Sequence, residues 1–184
     1  MFIQTEGTPN PATLKFLPGD AVMASGTANF AAPDEAGTSP LAQSLFANDG
    51  VIGVFLGADF ITVTKSGDKD WEVMKPLILG AIMEHYQSGR PVIEAGADDA
   101  GPAGDADDDE IVVQIRELID TRVRPAVAQD GGDIIYKGFE DGIVYLHMQG
   151  ACAGCPSSTA TLKHGIENML RYYVPEVQEV RAVE

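Results

Sequence analysis

One segment, residues 95–110 with the sequence AGADDAGPAGDADDDE, limits how the rest of the chain can fold. It contains six Asp and one Glu but no bulky apolar side chain. Such a segment cannot bury enough apolar surface to offset the entropy cost of ordering it. We therefore predict a flexible acidic linker at residues 95–110. The chain is then expected to form two small domains, residues 1–94 and 111–184.

The overall charge narrows the range of partners. The 184-residue chain carries a formal net charge of −16 and has a sequence pI near 4.3. Nucleic acids and anionic membranes are also negative, so neither is expected as a partner. The first residues, MFIQTEGTPNP, lack the basic start and apolar run of a secretory signal. With only two cysteines as well, the expected location is a reducing cytoplasm. Because the first residues also lack an Arg-rich transit sequence, that cytoplasm is expected to be bacterial, with the mitochondrial matrix as the less favoured alternative.

Residues 1–94 have the pattern of an α+β domain. Ser39 and Pro40 suit the cap and first position of a helix, and Gly89 suits the end of a later one. Pro76 is expected to kink or restart that later helix, and His85 is expected at the surface. No catalytic or metal-binding constellation is visible in this half. The predicted elements are strands at 2–6 and 13–17, a helix at 39–49, a hairpin at 51–65 and a helix at 71–89.

Residues 111–184 predict a second α+β domain with the order helix, hairpin, helix, strand. Asp141–Gly142 is a strong two-residue hairpin turn, and residues 177–183 form the last strand. Apolar side chains at helical spacing predict the buried face of the first helix, namely Val112, Ile115, Ile119 and Val123. The same spacing predicts the buried stripe of the second helix, namely Leu162, Ile166, Met169 or Leu170, and Tyr173.

The only two cysteines, Cys152 and Cys155, lie two residues apart in the stretch QGACAGCPSS. Pro156 follows directly and is favoured at the first position of a helix. The free N–H groups and positive dipole end of a helix start stabilise a thiolate. The small residues between the cysteines leave room for a bulky inorganic group. Three chemistries use this spacing: a redox disulfide, a zinc half-site and an iron–sulfur half-site.

The rest of the chain weighs against two of these chemistries. Only 29 residues follow Cys155, and the βαβ context of thioredoxin-like redox proteins is not predicted on either side, so a thiol–disulfide oxidoreductase is kept as the alternative. Zinc needs at least three protein ligands, and His147 and His164 are both expected too far from the cysteines. An iron–sulfur cluster takes four thiolates. Because each chain has two, the cluster would be shared by two chains in a homodimer.

Several motifs resemble the NifU-like, or Nfu-type, iron–sulfur carrier proteins. DGGDI (130–134), GACAGCPSSTATLKHGIENML (150–170) and VPEV (174–177) are similar to the C-terminal domain of that family. Stretches of the first half are similar to its N-terminal domain: FIQTEGTPNPATLKFLPG (2–19), SPLAQSLF (39–46), GVFLGADFITVTK (53–65) and the helix starting WEVMKP.

This resemblance implies a scaffold or carrier without enzyme activity. It implies a labile [4Fe–4S] cluster, with [2Fe–2S] as a further form, bound by Cys152 and Cys155. The partners implied are an upstream cluster donor, apo iron–sulfur client proteins and a second copy of the chain in the cluster-bound form. An adaptor whose cysteines have no role in binding is kept as a third hypothesis.

Overall fold

The structure is a computed structural model that describes residues 2–24, 26–94, 109–152 and 156–183, without the side chains of residues 156–159. The chain divides into two compact units, Met1–Gly101 and Pro102–Glu184. Each unit is a small α+β domain with one sheet and its own helices. Most of the predicted acidic linker, residues 95–108, lies outside the described residues. Its flexibility and the domain limits therefore stay predictions.

The first domain is built on a five-stranded antiparallel sheet with the order β1-β2-β5-β4-β3. Ile61 pairs with Phe16 on one side and with Leu56 on the other. Paired residues point to the same face of a sheet, and all three side chains belong to the core of this domain. The predicted strands and hairpin are confirmed, and a short strand comes from the weakly patterned region 21–31. The strands are β1 (Gln4–Gly7), β2 (Thr13–Leu17), β3 (Ala28–Phe30), β4 (Val51–Leu56) and β5 (Ile61–Lys65).

Two helices, α1 (Pro40–Phe46) and α2 (Trp71–Ser88), pack their apolar side chains into the same core. Ser39 caps α1 as predicted: its Oγ accepts a hydrogen bond from the N–H of Ala42 at 3.1 Å. Helix α2 runs without a break through Pro76, so the predicted restart is wrong. It ends as predicted at Gly89, whose φ of 69° closes the helix in the left-handed conformation. Among the described residues, no helix is long and apolar enough to cross a membrane.

His85 does not lie at the surface as expected. Its side chain is on the buried face of α2, in line with Met74, Ile78 and Ile82, and the residue is only 4% exposed. The spacing of these four positions, about one helical turn apart, was the signal that could have placed it inside. Burial, helped by the positive charge of Arg90, lowers the pKa of His85.

The second domain follows the predicted order of helix, hairpin, helix and strand. Its three-stranded sheet has the order β6-β7-β8, with β6 antiparallel to β7 and β8 parallel to β7. The hairpin turns at Asp141 and Gly142, which both have positive φ as a two-residue turn of type I′ requires. The elements are α3 (Glu110–Leu118), α4 (Arg124–Gln129), β6 (Gly132–Glu140), β7 (Ile143–Gly150), α5 (Pro156–Tyr173) and β8 (Glu179–Val183).

The parallel pairing of β7 and β8 across α5 makes a βαβ unit. The expectation that the cysteine pair lacks such a context is therefore wrong. It failed because one helix with a connection of five residues on either side is enough to return the chain beside β7. The redox alternative consequently has to be decided by other observations.

The predicted first helix of this domain is divided by a π-turn over Ile119–Val123. Its buried side chains follow at intervals of four residues: Ile115, Ile119, Val123 and Val127. In a straight α-helix each such step rotates about 40° past one full turn, so the stripe would drift off the core. The π-turn, in which the N–H of Arg124 bonds to the carbonyl of Ile119 five residues back, is wider and reverses part of this drift.

The buried stripe of α5 differs from the predicted one at its end. Ile166 and Leu170 are buried and Leu162 and Met169 are partly buried, as predicted. Tyr173 is instead 44% exposed, and Val174, just after the helix, fills the core in its place. Tyr173 comes three residues after Leu170, and its side chain points to one side of the direction that faces the core. Val174 comes four residues after Leu170, and its side chain points into the core.

Candidate metal site at the cysteine pair

Cys152 lies in the turn that follows β7. The strand ends at Gly150, whose φ of 65° lets the chain leave the sheet in a conformation that other residues rarely adopt. The N–H of Ala151 then donates a hydrogen bond to the carbonyl of Gly131 at 3.2 Å. This bond ties the turn carrying Cys152 to the segment that enters β6.

The sulfur of Cys152 packs directly against the backbone of Gly132, the first residue of β6. A Cβ atom added at Gly132 would lie 2.5 Å from the Cys152 Sγ and 3.0 Å from the carbonyl oxygen of Gln149. Real Cβ atoms do not approach other atoms so closely, so only glycine leaves room for the thiol. This contact gives a physical reason for glycine in the DGGDI stretch.

Cys152 is also part of the hydrophobic core of the second domain. The residue is only 6% exposed and belongs to the same buried cluster as Ile134, Met148 and Ile166. The sequence pattern did not predict this role of Cys152 in core packing. The reason is the short connection from β7, which keeps Cys152 close to the sheet.

The partner cysteine, Cys155, lies outside the described residues, as do Ala153 and Gly154. Helix α5 begins at Pro156, the position that the proline predicted. The joint role of Cys152 and Cys155 as cluster ligands therefore stays a prediction.

An ion pair between a buried carboxylate and a partly exposed guanidinium lies at the entry to β6. The guanidinium of Arg124 donates two hydrogen bonds to the carboxylate of Asp133, Nε to Oδ1 at 2.9 Å and Nη2 to Oδ2 at 2.9 Å. The N–H of Ile134 adds a third bond to Oδ1 at 2.8 Å, and a more exposed carboxylate, Asp120, lies 3.3 Å from Nη1 of Arg124. The bonds to Asp133 are the largest cause of the raised pKa of Arg124.

Sequence reasoning missed this pair. Asp133 is only 3% exposed, and an ionised carboxylate is rarely buried without a cationic partner. Its position between Gly132 and the apolar Ile134, at the start of a buried strand, was the available signal. A search of the preceding helical segment for a basic residue would then have given three candidates, Arg116, Arg122 and Arg124.

Both histidines of the second domain lie among the described residues. Nδ1 of His147 lies 3.1 Å from the carbonyl oxygen of Val183 in β8, and His164 is exposed on α5. Within the ranges that the structure describes, no group of three or more His, Cys, Asp or Glu side chains is arranged to hold a metal ion. The described residues thus offer nothing in support of a zinc site.

Two family models match the chain. The model described as "Scaffold protein Nfu/NifU N terminal" matches residues 3–89, and the model described as "NifU-like domain" matches residues 115–181. The first match lies in the first domain of the structure. The second contains the β6 entry, the cysteine pair and the βαβ unit.

Similar proteins are known from animals and plants. The chain is 54% identical to the human "NFU1 iron-sulfur cluster scaffold homolog, mitochondrial", over all of this chain and 72% of that protein. It is 55% identical to "NifU-like protein 4, mitochondrial" of Arabidopsis thaliana, over 98% of this chain and 65% of that protein. A solution structure of a NifU-like protein from Saccharomyces cerevisiae is 31% identical and covers 52% of this chain and 86% of that one, with a TM-score of 0.47.

These relatives overturn the expected bacterial cytoplasmic location. The human, plant and fruit-fly proteins all carry the word mitochondrial in their names. The expectation rested on the lack of a leader in the first residues. That lack carries no weight, because leaders are removed from mature proteins.

Proposed function

Because the chain belongs to the NifU-like (Nfu-type) family of iron–sulfur cluster scaffold proteins, we propose that it is a cluster carrier and not an enzyme. Its cargo is a [4Fe–4S] cluster held between two copies of the chain by Cys152 and Cys155 of each. The observation that carries this proposal is the cysteine count. The chain has two, whereas a cluster takes four thiolates.

The same count accounts for release of the cargo. Each chain holds the cluster through two Fe–S bonds, so thiolates of an apo-protein can replace the carrier's thiolates in steps. A thiol loses its proton to become a ligand and takes up a proton when it leaves. The free N–H groups at the start of α5, whose first residue is Pro156, favour the thiolate in this exchange.

The test is anaerobic reconstitution of the full chain with iron and sulfide, followed by iron analysis and native mass spectrometry. A shared [4Fe–4S] cluster gives about two iron atoms per chain in a dimer, and a shared [2Fe–2S] cluster gives about one. Mössbauer spectra separate the two cluster types. A monomer that holds four irons would contradict the proposal.

The redox alternative is retained because of one observation. The cysteine pair lies between β7 and α5 of a βαβ unit, the context in which a pair at this spacing serves in thiol–disulfide exchange. If the alternative is right, protein purified without oxygen is colourless and free of iron. It then forms a reversible disulfide between Cys152 and Cys155 with a defined potential.

We further propose that the first domain recognises the apo-protein that receives the cluster. The outer face of α2 supports this: Val73 and Leu77 are 67% and 52% exposed, and Pro76 and Gly80 lie exposed on the same face. Residues 1–94 carry 5 basic and 11 acidic side chains. The matching partner surface is therefore an apolar segment flanked by basic groups.

A full-length variant with Val73→Ser and Leu77→Ser tests this role. We expect it to load iron normally but to transfer clusters several-fold more slowly to a basic apo-client. Transfer to a small dithiol acceptor, which needs no docking, should be unchanged. Gln87→Ser, an exposed polar position on the same helix, is the matched control. Wild-type transfer by the double variant would contradict the role of this face.

A further inference from the structure

The position of the Cys152 sulfur depends on two glycines at the entry to β6. The carbonyl of Gly131 accepts the hydrogen bond from Ala151, and the backbone of Gly132 is in contact with the sulfur. Neither glycine has a side chain that could fix its own backbone, and Gly131 has a φ of 78° that few other residues adopt. The β6–β7 ladder pairs Gly132 with Gly150, and a side chain beside the two glycines adds a further hold on this segment.

The side chain of Asp133, directly after these glycines, supplies that hold. Its carboxylate accepts hydrogen bonds from Nε and Nη2 of Arg124 and from the N–H of Ile134. A bidentate pair of this kind fixes direction as well as distance. It connects α4 to the first residues of β6, next to a backbone bond from the N–H of Gly131 to the carbonyl of Ala128 at 3.0 Å.

We propose that Arg124 is a positioning residue for the Cys152 thiol. Through Asp133 it holds Gly132 against the sulfur and so keeps the thiol buried and aimed in one direction until the cluster arrives. The inference concerns the chain without cargo. It rests on the proposed function only for the purpose that the positioned thiol serves.

The direct test measures how fast Cys152 reacts with iodoacetamide in the full-length apo-protein carrying Cys155→Ser. A buried thiol reacts only when its surroundings open locally. We expect Arg124→Ala and Asp133→Asn to speed alkylation by about tenfold or more. Arg124→Lys should give an intermediate rate, because lysine keeps the charge but cannot form the two-pronged bond.

The matched control is Val180→Ala in β8. Val180 is fully buried in the same core, so its truncation lowers the melting temperature without touching the ion pair. The two variants are compared at conditions that give them the same melting temperature. If a general loss of stability were the cause, Cys152 would be alkylated as fast in Val180→Ala as in Arg124→Ala. That result would overturn the proposal, and so would a wild-type rate in Arg124→Ala or in Arg124→Lys.

A second readout uses the chain with both cysteines and measures the loss of iron from reconstituted protein to a chelator. Arg124→Ala should lose iron about tenfold faster than Val180→Ala. Equal rates of iron loss would overturn the proposal. If wild-type protein takes up no iron at all, the proposed carrier function fails. The alkylation rates then decide the positioning role alone.

Discussion

Asp133 in the second domain and His85 in the first are both ionisable and both almost fully buried, yet the two domains treat them differently. Asp133 accepts hydrogen bonds from Arg124 and Ile134. Nε2 of His85 has no hydrogen-bond partner among the described residues. Its lowered pKa means that burial holds the ring neutral.

The difference lies in whether the buried ionisable side chain has hydrogen-bond partners that fix its position. A buried charge is costly unless it is paired, and a full set of partners makes it directional. The second domain has such a set beside Cys152, where the position of one sulfur matters. In the first domain burial lowers the pKa of the His85 ring, and among the described residues no group of three or more His, Cys, Asp or Glu side chains is arranged to hold a metal ion.

The largest effect should separate the domains by iron content. Cys152→Ala and Cys155→Ala should each abolish cluster binding, because a dimer is left with two thiolates. His85→Leu in the first domain should leave the iron content unchanged. Iron analysis after anaerobic reconstitution measures all three variants. Cluster retention by either cysteine variant would mean that an unrecognised ligand exists.

The second expectation concerns the buried charge itself. Asp133→Ala leaves Arg124 without its main partner and should lower the free energy of unfolding by about 2–3 kcal/mol, less than for a fully buried pair because Arg124 is partly exposed. Asp120→Ala removes the exposed partner of the same guanidinium and should cost under about 0.5 kcal/mol. Urea unfolding of the apo-protein gives both values. Equal costs would show that burial adds nothing to this pair.

A smaller change is expected where the second domain relies on close contact. Gly132→Ala forces a Cβ against the Cys152 sulfur and should cost about 1–2 kcal/mol, with weaker iron retention. Gly138→Ala, in the same strand, meets its nearest atom only at 4.0 Å. Thermal unfolding should therefore show a lower melting temperature for Gly132→Ala and little change for Gly138→Ala. An unchanged melting temperature in Gly132→Ala would argue against the contact between Gly132 and the Cys152 sulfur.

The smallest effect is the pH dependence of the first domain. The pKa of His85 is lower in the folded domain than the ordinary 6.5 of the unfolded chain, so the unfolded chain binds the proton more readily. Its contribution to stability is complete above pH 6.5 and is lost as pH falls toward the folded pKa. Wild-type protein should lose more melting temperature between pH 7.5 and pH 5.5 than His85→Leu does. His164→Leu, at an exposed position, should follow the wild type.

Local signals predicted most of the fold. Ser39 with Pro40, Gly89, and Asp141–Gly142 each act through their own backbone or the nearest turn, so the sequence locates the elements that they begin or end. The cysteine pair and the helix start at Pro156 were visible for the same reason.

The remainder depends on contacts between distant parts of the chain. The burial of Cys152 is set by Gly132, twenty residues earlier, and the parallel pairing of β8 with β7 is set by how α5 packs. The partners of Asp133 could be sought only once burial of the strand was known. Local propensity does not contain this information.

The π-turn at Ile119–Val123 also sets how far α4 is rotated about the helix axis relative to α3. Each residue of a helix advances the chain by about 100° of rotation. Deleting one residue, such as Thr121, would turn α4 by roughly that angle relative to α3. Val127 would then leave the core, and Arg124 would swing away from the carboxylate that it grips. The length of this helix thus sets the direction from which the Arg124 guanidinium meets the Asp133 carboxylate.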